Sequence, residues 1–513
     1  MVGSISPLAV LCVASLHQTT VESFSILPRL QSILGQQAGA LVPSQGSSSS
    51  ETSQAGDLLR RVDDVLESKG PPFDRNETIR LIDLEHVRDT EMCASLGHGK
   101  AMSQQSGEKA VSVKNITILG ERIGVLTNDD LLNASSVELI RNCATNFWQL
   151  QKCTSRFTYQ RASNKEAHLV DLCKESPELL PVITELLSER IYPLAQTLFP
   201  DCYPNDSIVP CVYDSLLIRY NSTEADNPLG AGQPLHRDQG LISVNIKLNS
   251  EFQGGGTFMD AQLASRGKMA KQPIKPEGVG RAFLHKSSQR HAGAAIESGV
   301  RDILVIFLTA TNIGIKADSA SPPVERATRL KGMHSLETDH WLLANYNRMA
   351  LDCVQTDSEA WHYLGMSLYF LSATEDCDVI HGSSLAHLAV DVLNVAIQCN
   401  PNDARLYNSL ALGLGRTKAD PSLIQAAFQK GLKLHKLSEE VGCDVKRDLA
   451  ALAYNYGLFM MGQGRFEEAF EILQLIDTES EKISERIVND VLALLEYCEH
   501  QAFLSEKTDQ MAV

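Results

Sequence analysis

His236-Arg237-Asp238-Gln239-Gly240-Leu241-Ile242-Ser243-Val244-Asn245-Ile246-Lys247-Leu248 is the stretch on which the fold turns. From Ile242 onward apolar and polar residues alternate, which is the mark of a half-buried β-strand. A histidine and an aspartate two apart point to one side of an extended chain. The pair alone decides little. The chain has 14 histidines, and about one His-x-Asp is expected by chance at ordinary aspartate usage.

The residues downstream give the pair its weight. Arg281 to Gly293 holds His291, and Ala294 to Arg301 leads into the apolar run Ile303-Leu304-Val305-Ile306-Phe307-Leu308. This predicts a strand, a turn at Ser298-Gly299, and a second strand. His291 falls on the first strand and Arg301 opens the second. An arginine buried at the head of an apolar strand needs an anionic partner, because an uncompensated buried charge is costly. Two histidines and one carboxylate suit Fe(II) and leave three coordination positions open. The expected ligands, and with them the catalytic centre, are His236, Asp238 and His291. His285 is also available as the distal ligand.

In order, Leu217-Ile218-Arg219-Tyr220, His236-x-Asp238, Leu248-Asn249, Phe252-x-Gly254-Gly255-Gly256-Thr257-x-Met259, Phe283, His291-x-Gly293 and Gly299-x-Arg301 span about ninety residues. This region resembles the iron- and 2-oxoglutarate-dependent dioxygenases, most of all the prolyl 4-hydroxylase type. The resemblance implies a double-stranded β-helix (jelly-roll) with iron at its mouth. It implies that 2-oxoglutarate chelates the iron through its keto-acid end while Arg301 pairs with the far carboxylate. Ascorbate commonly keeps such iron reduced. The ten-residue interval to Arg301 matches the family for His291 and not for His285. The carboxylate of Asp238 favours hydroxylation over halogenation. Tyr220 and Thr257 stand where the family often contacts the co-substrate; each is also an ordinary core strand residue. Gly254 to Gly256 read as a turn or bulge rather than a phosphate cradle, since no P-loop follows.

Composition bounds the rest. At 513 residues two or three domains are expected. A formal charge of −17 argues against general affinity for nucleic acid or anionic membrane. The 12 cysteines include no C-x-x-C, so structural zinc is not expected; Cys202 and Cys211 form a conceivable local pair. Pro7 to Leu16 resembles the apolar part of a secretory signal without a basic start, and no retention tetrapeptide ends the chain. Five N-x-[Ser/Thr] sequons begin at Asn76, Asn115, Asn133, Asn205 and Asn221. They leave both the secretory pathway and the cytoplasm open. No run is long enough for a membrane span.

The expected organisation is α+β. Residues 1–55 read as a possible signal and flexible linker, and 56–125 as a mixed segment containing an amphipathic helix over Asp57–Lys69. Residues 126–315 read as the oxygenase core with flanking helices, and 316–350 as a linker with a hinge at Pro322-Pro323. Residues 351–505 read as an all-α repeat domain. Trp361-x-x-Leu364-Gly365, Ala389-x-x-x-Leu393-x-x-Ala396 and Gly462-x-Gly464-x-Phe466-Glu467-Glu468-Ala469 resemble tetratricopeptide repeats. The loop from Asn221 to Leu235 suits a substrate-covering lid.

These features lead to an expected dioxygenase acting on a polypeptide, with proline as the favoured residue. The repeats are expected to engage the chain or a protein partner. Two rivals stay open: a repeat-based scaffold carrying an inactive oxygenase fold, and an oxygenase for small metabolites.

Overall fold

The computed structural model describes residues 48–512, apart from 83–95, 102–110, 119, 151–163, 223–232, 234, 239, 265–271, 313–322, 333–338, 374–378, 441–444 and 481–482. The apolar leader and most of the expected lid therefore lie outside the described residues. The chain is α+β and divides into two compact units, one spanning 74–330 with 437–444, the other spanning 1–73, 331–436 and 445–513. Among the described residues, no helix is long and apolar enough to cross a membrane.

The first unit is built on antiparallel strands. They are β1 (Val113–Ile118), β2 (Glu121–Thr127), β3 (Asn164–His168), β4 (Ile208–Asn221), β5 (Ile242–Lys247), β6 (Phe252–Gly254), β7 (Thr257–Met259), β8 (Ala282–Lys286), β9 (His291–Gly293) and β10 (Ile296–Asn312). The larger sheet runs β1-β2-β8-β5-β10-β4-β3, with β6 attached to β10; β7 and β9 form a second, small sheet.

Strand β5 shows why this arrangement holds. Ile242, Val244 and Ile246 are wholly buried. They share a core with Leu217, Leu284, Leu304 and Ile306 of neighbouring strands, and with Ile140, Leu172, Ile183 and Leu187 of the covering helices. Each such side chain contributes roughly 1.5–3 kcal/mol on burial. The intervening Ser243, Asn245 and Lys247 face the other way, as period two requires. The helix Ala134–Leu150 turns Val137, Ile140, Ala144 and Trp148 inward, at spacings of three and four residues that keep them on one face. The Asn133 Oδ1 accepts from the Ser136 amide at 2.9 Å and opens that helix.

Two expectations about this unit change. No turn forms at Ser298-Gly299. Instead β10 runs unbroken from Ile296 to Asn312, pairing first with β6 and then with β4 and β5. Gly299, at φ +85°, supplies the bend, and a Cβ there would lie 2.2 Å from the Glu251 carbonyl oxygen. The Asn249 side chain secures the bend, donating to Val300 O at 2.6 Å and accepting from the Asp302 amide at 2.8 Å. The unit also begins before residue 126, because β2 pairs with β8 through Val125–Leu284 and Leu126–Phe283. Cys202 and Cys211 are both buried, and no disulfide joins them.

The second unit is helical. Consecutive helices Ser358–Leu371, Val379–Cys399, Ala404–Arg416, Pro421–Glu440, Lys446–Gly462 and Phe466–Leu473 carry it. Small residues set their spacing: a Cβ on Gly365 would lie 2.8 Å from Leu393 Cγ, and one on Gly457 would lie 2.7 Å from Leu473. The helix Ser48–Lys69 belongs to this unit and not to a mixed segment with residues up to 125. It buries Leu58, Leu59, Val62 and Leu66, and Asp63 pairs with Arg348 at 2.6 Å. The expected linker 316–350 also carries helices, Pro323–Gly332 and His340–Cys353. Proline is tolerated in a first helical turn, and the Asp339 carboxylate caps the second helix by accepting from the Trp341 and Leu342 amides.

Across the larger sheet, Asp302 is fully buried between two arginines. Arg219 donates to it at 2.7 and 2.9 Å, and Arg141 at 2.9 Å. Removing one member of a buried pair leaves charge uncompensated. Asp302→Ala is expected to destabilise the first unit by about 3–5 kcal/mol, read as a lowered urea midpoint. A midpoint within error of wild type would refute this.

Candidate metal centre

The two distant histidines are joined through the main chain. The His236 amide donates to His291 O and the His291 amide to His236 O, both at 2.8 Å. This adds the His236 segment to the β7–β9 sheet. On the neighbouring segment the Asp238 amide donates to Ser287 O at 3.1 Å, and Arg237 Nη1 donates to Ser288 O. These bonds tie the ligand loop to β9 and to the Ser287-Ser288 segment that precedes it.

There the side chains converge. Donor atoms of His236, Asp238 and His291 all lie within 4.8 Å of one another. His236 Nε2 is 3.3 Å from Asp238 Oδ1, and His291 Nε2 is 3.2 Å from Asp238 Oδ2. Ligands about 2.1 Å from an octahedral centre stand roughly 3.0 Å apart, so this donor set fits a single divalent ion. His291 Nδ1 donates to Gln289 O at 3.0 Å, which leaves Nε2 with its lone pair directed at the cluster. Ser243 Oγ donates to Asp238 Oδ2 at 2.5 Å and lies 2.9 Å from Ser287 Oγ. Burial works against the Asp238 carboxylate, but His291 and His236 beside it hold its carboxyl well below the usual range. Burial likewise opposes a charged His291, and Asp238 outweighs it and raises the imidazole.

His285 is placed differently. It is fully buried, its ring centroid 4.4 Å from that of His291. Its Nδ1 donates to Lys286 O at 3.0 Å, and its Nε2 faces Asn245 Nδ2 at 3.4 Å. Burial and the neighbouring His291 push it down to about 3, so it stays neutral. It acts as a packing and orienting residue outside the donor cluster.

Beside the centre lies a cavity of 320 Å³, lined in part by Asn245, Lys247, Thr257, Lys275 and Arg301. Its wall continues that of the metal cluster. Asn245 is two residues along β5 from Ser243, and Thr257 two along β7 from Met259, which pairs with His291. Arg301 is buried, and its Nη1 has no hydrogen-bond partner among the described residues. Burial lowers its affinity for a proton. Tyr220 is its register partner across β4 and β10, with the guanidinium carbon 5.3 Å from the tyrosine ring centre. Gly255, at φ +67°, lets the main chain approach: a Cβ there would lie 3.2 Å from Arg301 Cδ. Thr257 and Arg301 therefore share the cavity wall, and Tyr220 packs behind the arginine. The reading of the sequence missed Ser243, Asn245, Lys247 and Ser287. The first three were visible as the polar positions of β5, on the face opposite its apolar ones.

No family model matches the chain. A human protein named "2-oxoglutarate and iron-dependent oxygenase domain-containing protein 2" is 26% identical over 136 residues, which cover 26% of this chain and 36% of that protein. The chain thus matches about a third of the relative's length. Among solved structures, AviO1 from Streptomyces viridochromogenes Tue57 is 16% identical, covering 38% of this chain and 91% of its own, with a TM-score of 0.26. The non-heme alpha-ketoglutarate-dependent epimerase SnoN, from nogalamycin biosynthesis, is 15% identical, covering 37% and 81%, also at 0.26. A Burkholderia pseudomallei oxidoreductase of the 2OG-Fe(II) oxygenase family is 18% identical, covering 26% and 57%, at 0.19.

His291→Ala is expected to weaken divalent-metal binding by more than about hundredfold, and His285→Ala by less than about tenfold. Equilibrium dialysis with Mn(II) measures both. The reverse ranking would remove His291 from the ligand set.

Proposed function

We propose that the first unit is an Fe(II)- and 2-oxoglutarate-dependent dioxygenase. In this reading it has a double-stranded β-helix core and hydroxylates a residue of a polypeptide, with proline favoured and with succinate and CO2 as co-products. The observation that carries the proposal is the pairing of a His-Asp-His donor cluster with a neighbouring cavity. Buried in that cavity is an arginine with an open N–H. The named human relative supports the same cofactors.

His236, Asp238 and His291 would hold the iron. When bound, the iron would couple decarboxylation of the oxo acid to insertion of one oxygen atom into the substrate. Ser243 fixes the Asp238 carboxylate through its hydroxyl proton. Gln289 O fixes the His291 tautomer. Arg301 would receive the distal carboxylate, with the Tyr220 ring limiting its movement and Thr257 lining the same cavity. Burial of the Arg301 side chain strengthens this pairing. Ascorbate would maintain the ferrous state.

A polypeptide target is supported by the helical unit on the same chain. Its helix pairs, packed on glycine and alanine, have the character of tetratricopeptide-like repeats, and such stacks suit extended chains.

Purified full-length protein with Fe(II), ascorbate and 2-oxoglutarate is expected to release succinate faster with proline-rich peptides, which gain the mass of one oxygen. Stimulation by small organic molecules alone would replace the polypeptide assignment, and absence of metal-dependent succinate release would end the oxygenase assignment. Separately, Arg301→Ala is expected to raise the apparent 2-oxoglutarate constant at least about hundredfold, since losing one partner of a buried ion pair costs about 3–5 kcal/mol. An unchanged constant would exclude Arg301 as the clamp.

A further inference from the structure

Three cations face the cavity beside the donor cluster: Arg301, Lys247 and Lys275. They differ in burial and in occupation. Lys275 is exposed, and its ammonium already donates to Gly254 O at 2.7 Å. Arg301 is buried with Nη1 open. Lys247 is half-buried, and its ammonium makes no ion pair or hydrogen bond among the described residues.

The strand register fixes where Lys247 stands. On β5 the inward-facing side chains run Ser243, Asn245, Lys247, leading away from Asp238. Opposite them on β10, Phe307 pairs with Ser243, Val305 with Asn245 and Ile303 with Lys247. Arg301 lies one step of two residues beyond Ile303. Lys247 therefore sits between Asn245 and Arg301 along the cavity wall. Both cations lie near one aromatic ring, with Lys247 Nζ 5.9 Å and the Arg301 guanidinium carbon 6.0 Å from the Phe252 ring centre. Glu251 is the nearby acid, and its carboxylate turns back to accept from the Ser250 amide at 3.2 Å. Two like charges on one wall repel each other unless an anion lies between them.

We propose that Lys247 is a second cationic residue for the co-substrate, sharing the distal carboxylate with Arg301. This rests on the oxygenase reading above. It makes the cavity selective for an oxo acid with a charged far end, by two groups on two different strands. Burial, and after it the positive charges of Lys275 and Arg301, lowers the proton affinity of Lys247, and a bound carboxylate would offset those charges.

Calorimetry on the full-length protein loaded with redox-silent Mn(II) tests this without turnover. The probes are 2-oxoglutarate and 2-oxopentanoate, which has the same chain length but lacks the distal carboxylate. Lys247→Met is expected to weaken 2-oxoglutarate binding by about tenfold or more and to leave 2-oxopentanoate unchanged; Lys247→Arg is expected to restore most of the loss. Undiminished 2-oxoglutarate binding by Lys247→Met, or an equal loss for both acids, would overturn the role of Lys247. If the wild-type protein binds Mn(II) but neither acid, the oxygenase reading fails first and the Lys247 assignment falls with it. Those outcomes are distinguishable because wild type and variant are compared on the same two ligands.

Discussion

The reciprocal main-chain pairing of His236 with His291 is the constraint from which the site follows. These residues stand far apart in sequence, and nothing local brings them together. Two amide-to-carbonyl hydrogen bonds of 2.8 Å do so, and they settle which faces of the two segments oppose each other. Once that register is set, Asp238 falls between the two imidazoles. Ser243 and Gln289 then need only adjust orientation. A slip of one residue would turn every one of these side chains to the opposite face.

Strand β10 shows how one segment serves both folding and binding. Arg301 and Asp302 are adjacent, so period two sends them to opposite faces of the sheet. Asp302 finds Arg219 and Arg141 within the protein and binds the covering helix Ala134–Leu150 to the sheet. Arg301 faces the cavity and ends on an open N–H. The structural charge is neutralised internally, whereas the neighbouring one is left for an incoming anion. Asn249 holds the bend just before both of them, so neither orientation is free to drift.

Much of this was legible in the chain. The alternation from Ile242 to Leu248 identified β5 and its buried face, because an amphipathic strand has to separate its two kinds of side chain. Resemblance to the dioxygenase family, through the interval from His291 to Arg301, favoured His291 over His285, and the donor cluster holds His291 and not His285. Other elements were not legible. Ser298-Gly299 has turn composition, yet pairing with β6 keeps it within β10 as a bend and not a chain reversal. The helix Ser48–Lys69 starts in a serine-rich stretch that reads as a linker. Its stability comes from burial of Leu58, Leu59, Val62 and Leu66 in a unit whose other helices lie hundreds of residues away.

Local order thus wrote the identity of the donors into the chain: which residues can bind a metal, which positions alternate, and where a buried cation must stand. Residue type and short-range periodicity offered the candidates, and resemblance to the dioxygenase family chose among them. Folding alone assigned Lys247 to the same cavity as Arg301, left His285 as a neutral packing residue, and recruited an N-terminal helix to a distant unit. Each depends on pairing between segments remote in sequence, and the energy of such pairing belongs to no single stretch of the chain.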